Sequence, residues 1–120
     1  MSTSESYRPG PDEVYFIPAG RGARHAIFPG VEIVTNATSG IMLSLVTFEP
    51  HSLVPDHSHP HQQMGMLISG RLQFTIDGRT CVLDPGDSWK IPGGVTHSVT
   101  ALDGPAVALD VFHPIREDYL

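Results

Sequence analysis

Cysteine, lysine and long apolar runs are scarce in this sequence, and each scarcity removes a class of protein. Cys81 is the only cysteine, so no disulfide can form within the chain, and a reducing, cytoplasmic setting is expected. As a small residue in a strand pattern, Cys81 is expected to fill core. Lys90 is the only lysine, and 7 Lys and Arg against 13 Asp and Glu leave a formal charge of −6. With no basic cluster, the field repels nucleic acid and anionic membranes, and neither is expected as a partner. A small anionic ligand is compatible with it, because one bound divalent metal and one well-placed arginine reverse the field locally. No window approaches the roughly 20 apolar residues that a membrane helix needs. The opening stretch MSTSESYRPGPDE lacks the apolar centre of an export signal.

Helical patterning is also missing. Nowhere does an apolar period of 3.6 residues persist over the length of a helix; short β-prone runs alternate with turn residues instead. The runs are VYFI, RHAIF, VEIVT, IMLSLVTF, MGMLIS, RLQFTI, TCVL, SWKI, HSVTA and VALDVF, and among the turns Asp77-Gly78 has the chemistry of a two-residue hairpin loop. The expected fold class is all-β, a sandwich or barrel. At 120 residues the chain suits one domain with a single core. Residues 1–13, rich in Ser, Pro, Gly and charge, are expected to form a flexible arm, and residues 14–120 the domain.

One stretch, His57 to Gly70 (HSHPHQQMGMLISG), concentrates metal-ligand chemistry. Read as a strand, it puts His57 and His59 on one face, so both imidazoles can converge on one ion. Gln63 adds an oxygen donor. A further donor, His97, follows the Pro92-Gly93-Gly94 turn and opens the strand HSVTAL, and the two segments read as one site. Three imidazoles and an amide suit a first-row divalent metal such as Zn, Ni, Fe, Mn or Cu, and do not suit Mg or Ca. Because all four groups are neutral, the ion's charge is not offset by the protein, which favours an anionic ligand. His61 reads as a residue behind the ligands or facing solvent, His25 and His51 as surface residues, His113 as a loop residue, and Trp89 and Met66 as core. Gln73 and Thr75 face either pocket or solvent.

The spacing resembles the two motifs of the cupin superfamily. The first is Gly, five residues, His-X-His, three or four residues, Glu, six residues, Gly; here His57, His59, Gln63 and Gly70 hold those places, with His51 at the first glycine and Gln63 at the glutamate. The second is Gly, five residues, Pro-X-Gly, two residues, His, three residues, Asn, met by Gly86, Pro92, Gly94 and His97, with Ala101 at the asparagine. The resemblance implies a double-stranded β-helix, a jelly-roll barrel enclosing a metal and a ligand, and a homodimer.

The tail VALDVFHPIREDYL holds Val107, Leu109 and Val111 on one strand face and Ala108, Asp110 and Phe112 on the other. Which set faces inward is open from alternation alone. If the second does, a carboxyl enters the metal cavity, where burial and a cation tune it for proton transfer. The tail is similar to that of the pectin-degradation cupins of the KdgF type, small metal-bound cupins that turn unsaturated uronates into linear keto forms. That resemblance implies Asp110 as the proton-transfer group, Phe112 as a wall for the sugar ring, and Arg116 as a catalytic, substrate-binding carboxylate anchor. An Fe-dependent dioxygenase and a non-catalytic module that binds a small ligand are the competing readings.

Overall fold

The computed structural model of the chain describes residues 14–120, and the expected arm over residues 1–13 lies outside them. Among the described residues are strands β1 (Ala23–Phe28), β2 (Val31–Ala37), β3 (Met42–Phe48), β4 (Leu53–His57), β5 (Gln62–Ser69), β6 (Leu72–Ile76), β7 (Arg79–Leu83), β8 (Ser88–Ile91), β9 (His97–Ala101) and β10 (Ala106–His113). A 3-10 turn follows at Glu117–Tyr119. A six-stranded sheet runs β1-β2-β3-β10-β5-β8 and a four-stranded sheet runs β4-β9-β6-β7. Their pairings are antiparallel, so the fold is all-β, a jelly roll of two facing sheets. No helix among the described residues is long and apolar enough to cross a membrane.

Strict alternation builds the core. Along β3, Met42, Ser44, Val46 and Phe48 are buried while Leu43 and Leu45 between them are exposed. Ile33, Leu67 and Leu72 meet between the sheets, each nearly sealed from solvent. Each such side chain contributes roughly 1.5–3 kcal/mol by leaving water. The β6-β7 hairpin turns through Asp77 and Gly78, at φ +50° and +75°, the left-handed pair that a tight hairpin needs.

Several expectations need correction. His57–Gly70 is not one strand: β4 ends at His57 in the smaller sheet, and β5 begins at Gln62 in the larger one. β4 is not among the expected strands, and it contains Pro55. The proline is tolerated because β4 is an edge strand, paired on one side with β9. The apolar run Val14–Ile17 forms no strand, since Pro18 and a turn at Gly20 separate it from β1. Cys81 does not fill core: it shares a face with buried Leu83, but β7 is the outer strand of its sheet and four of its five residues are exposed. Met66 points outward from β5, opposite in parity to buried Gln63 and Leu67. His113 is the last residue of β10, not a loop residue. His25 is half-buried on β1, its ring 6.2 Å from that of Tyr119.

Candidate functional site

Two sheets supply the candidate ligands. His57, last in β4, is the cross-strand partner of His97, first in β9, and their ring centroids lie 4.2 Å apart. His59 stands beyond the end of β4, 5.0 Å from His97 and 5.6 Å from His57 by the same measure. The turn that delivers His97 is fitted against this loop. Gly94 N–H donates to the His59 carbonyl at 2.8 Å, and a side chain at Gly93 would meet the Pro60 carbonyl at 2.3 Å. Only glycine allows that approach.

The tautomers follow from the hydrogen bonds. The Nδ1 atoms of His57, His59 and His97 each lie 2.9 Å from a backbone carbonyl, those of Pro55, His61 and Val95. Each carbonyl can only accept, so each Nδ1 carries a proton, and in the neutral ring Nε2 presents a lone pair. Burial, reinforced by Arg116, lowers the pKa of His59 to about 4, and burial also lowers that of His97. Both are therefore neutral at pH 7. One nitrogen from each of the three histidines lies within 4.8 Å of the other two. The Nε2 of His97 is buried with no hydrogen-bond partner in the structure.

Those observations test the fit of a metal. Gln63 Oε1 lies 3.2 Å from His59 Nε2, and with the ring proton on Nδ1 both atoms are acceptors. Two acceptors facing each other beside an orphaned third call for a positive centre. The three histidines could hold a divalent metal, with Gln63 Oε1 in reach as a further donor. His61 is outside this cluster; it supplies the carbonyl that sets His59, and its own Nδ1 is buried without a partner.

The remaining candidates share one cavity of about 50 Å³ with this centre: Gln63, Asp110, Phe112 and Arg116 all line it beside His57 and His97. Thus Ala108, Asp110 and Phe112 are the inward set of β10. Burial raises the pKa of Asp110 to about 6, against the opposing effect of hydrogen bonds from Gln63 and Trp89. Trp89 Nε1 donates to Asp110 Oδ1 at 2.9 Å. Trp89 is core, as expected, and it also holds the acid in place.

Sequence reasoning missed three positions here. Gly65 pairs with both Asp110 and Trp89 across β5, and a Cβ there would lie 2.3 Å from Asp110 Oδ1 and 2.3 Å from Trp89 Nε1. A glycine in the middle of an apolar strand was the signal that could have found it. Tyr119 also lines the cavity; the Arg116 guanidinium sits 4.0 Å from its ring centroid and 5.5 Å from that of Phe112. Thr35, buried on β2, donates its hydroxyl to the Tyr119 carbonyl. Nothing in the local pattern of either residue marks it. Gln73 is exposed, and Thr75 is bonded to Thr80 across the hairpin, so neither joins the site.

Known proteins share this architecture. The family model described as a cupin domain matches residues 44–112. The pectin degradation protein KdgF of Dickeya dadantii (strain 3937) is 28% identical over 81 residues, covering 67% of this chain and 74% of that protein. The structure of KdgF from a Halomonas species superposes with a TM-score of 0.81 at 26% identity, over 90% of this chain and 100% of the other. An RmlC-like cupin from Shewanella frigidimarina reaches 0.82 at 24% identity, over 90% and 97%, a likeness of fold.

Proposed function

Because this chain belongs to the cupin family, matched from Ser44 to Phe112, we propose that it is a metal-dependent enzyme that converts an unsaturated uronate to its linear keto form. One observation carries the reading: a buried carboxyl with a pKa near 6 stands in the same cavity as a three-histidine cluster and an arginine. The likeness to two KdgF proteins points the substrate toward products of pectin breakdown.

His57, His59, His97 and Gln63 would hold a divalent metal, which when bound would supply a Lewis acid for an anionic sugar oxygen. The other roles belong to the chain. Arg116 orients the substrate carboxylate, for which a planar fork is suited, and Phe112 forms a wall for the ring. Opening the hemiacetal removes a proton from the anomeric hydroxyl and releases the ring oxygen as an enolate; ketonisation returns a proton to the neighbouring alkene carbon as the enolate oxygen becomes the ketone. The two transfers balance, so one group near neutral pKa can do both, and Asp110 fills that role. No oxidant is needed.

Incubation with an unsaturated galacturonate monomer under nitrogen should remove the ultraviolet absorbance of the conjugated acid faster than buffer does. Decay at the buffer rate, with metal bound by elemental analysis, rejects the reading. Oxygen uptake that requires Fe(II) would favour the dioxygenase instead, and metal-dependent binding without turnover the non-catalytic module.

The same reading takes the chain as a cytoplasmic homodimer with one cupin domain over residues 14–120, and the outer face of the larger sheet is suited to the contact. Leu43, Leu45, Met64, Met66, Ile68 and Val111, from β3, β5 and β10, are 36–59% exposed. Together they present on the order of 500 Å², at the upper end of what a monomer leaves in water. Two such sheets can pack face to face about a two-fold axis.

A further inference from the structure

The cavity is too small for the ligand class assigned to it. At about 50 Å³ it has room for an ion and a water or two, whereas pockets for small organic ligands start at about 300 Å³. One wall of it is Tyr119, the last residue of the turn at Glu117–Tyr119. The half-buried Tyr119 ring lies 6.2 Å from Phe112 and 6.2 Å from His25, with the Arg116 guanidinium stacked 4.0 Å from its centroid. Within the turn the backbone bonds are local, Tyr119 N–H to the Arg116 carbonyl and Leu120 N–H to the Glu117 carbonyl. Its tie to the barrel wall is the Thr35 hydroxyl. A segment held by a side-chain hydrogen bond and one seated ring opens at the low end of the stability range.

Arg116 is only half engaged in this closed form. Its Nη2 donates to Asp118 at 3.0 Å, while its Nε is buried without a hydrogen-bond partner. Within the site, that donor is spare for a carboxylate.

We propose that Tyr119 is a gating and positioning residue. Seated, it narrows the cavity and fixes the Arg116 guanidinium by stacking; withdrawn with the turn, it widens the way to Gln63 and Asp110 for a carboxylate-bearing ligand. The positioning half rests on the uronate reading, and the gating half does not.

Trp89, the only tryptophan, lines the cavity and is 5% exposed, so its fluorescence reports on the gate. Tyr119→Ala and Thr35→Val should each raise the acrylamide quenching constant of Trp89 on the order of threefold, while Tyr119→Phe keeps the wild-type value. A Tyr119→Ala protein with native far-ultraviolet circular dichroism and wild-type quenching overturns the gate. Should that variant not fold, Thr35→Val carries the same two outcomes. On an unsaturated uronate, Tyr119→Ala should raise KM about tenfold and hold kcat within about twofold, the loss of one stacked cation in a partly dry site. An unchanged KM overturns the positioning role. A wild-type chain that turns over no uronate sinks the substrate reading alone and leaves the quenching result to decide the gate.

Discussion

The two faces of β10 differ in a way that folding alone does not demand. Inward, between Ala108 and Phe112, stands Asp110, a carboxyl only 8% exposed. Outward, Val111 sits in a field of Met64, Met66, Leu43 and Leu45 that is open to solvent. A fold seeking stability would exchange the two, apolar groups inside and charge outside. Each inversion is what the proposed function requires of a working surface, with the proposed chemistry on the inner face and the proposed contact between copies on the outer one.

The largest effect is expected from Asp110→Asn. If Asp110 moves the proton, kcat should fall by about 10²- to 10⁴-fold, and near-wild-type turnover would remove it from the mechanism. In metal-free protein, stability should move the other way. The carboxyl has a pKa of about 6 when folded against an ordinary value of 3.8, so between those values the folded state binds more protons than the unfolded one. Stability from this group is full below about pH 4 and is lost as pH rises through 6, by about 3 kcal/mol. Asparagine still accepts from Trp89 and escapes that penalty. The metal-free variant should thus exceed wild type in chemical denaturation at pH 7, with the gain vanishing near pH 4. His59, lowered to about 4 from 6.5, has the opposite slope: its contribution is present above pH 6.5 and is lost as pH falls toward 4. Removing Asp110 should expose that slope, and a flat profile for the variant from pH 4 to 6.5 would contradict the assignment.

How far these faces were legible depends on what local pattern can carry. The spacing of His57, His59, Gln63 and His97 was enough to group them, and alternation grouped Asp110 with Phe112. Alternation could not say which group faced inward, because both neighbouring sets contain apolar residues; only pairing with β3 and β5 decides it. Along β5 hydrophobicity pointed the wrong way, since the outer face carries Met66 and the inner one Gln63. Gly65 was marked only by being a glycine inside an apolar strand, and Thr35 and Tyr119 were invisible as site residues because their partners lie on other strands or beyond the last one. Pro55 within β4 breaks a rule that holds for central strands and lapses at an edge.

Gly65→Ala tests how closely the inner face is fitted. The added methyl meets the indole and the carboxylate at once, with no flexible chain end to give way. A destabilisation of about 2 kcal/mol, of the size seen for overpacking, should appear in thermal unfolding, together with a loss of turnover; native stability would mean that Trp89 and Asp110 have room to shift. On the outer face, Leu45→Lys puts a charge into the exposed apolar field. The dimer dissociation constant by sedimentation should rise at least tenfold, about 1.4 kcal/mol, while monomer stability stays within about 0.5 kcal/mol. A wild-type chain that sediments as a monomer removes the contact.

The smallest effect belongs to a position that faces inward and is not covered. Cys81 lies opposite buried Phe74 in the β6-β7 ladder, yet it is exposed on the edge strand of the smaller sheet. If covering rather than facing makes a side chain count, Cys81→Ser should change stability by less than about 0.5 kcal/mol. The native thiol should also react fully with a disulfide reagent before any unfolding. A thiol that reacts only in denaturant would mean that the edge of the smaller sheet is covered in solution, and the contrast between the two faces of β10 would then extend to the rim of the barrel.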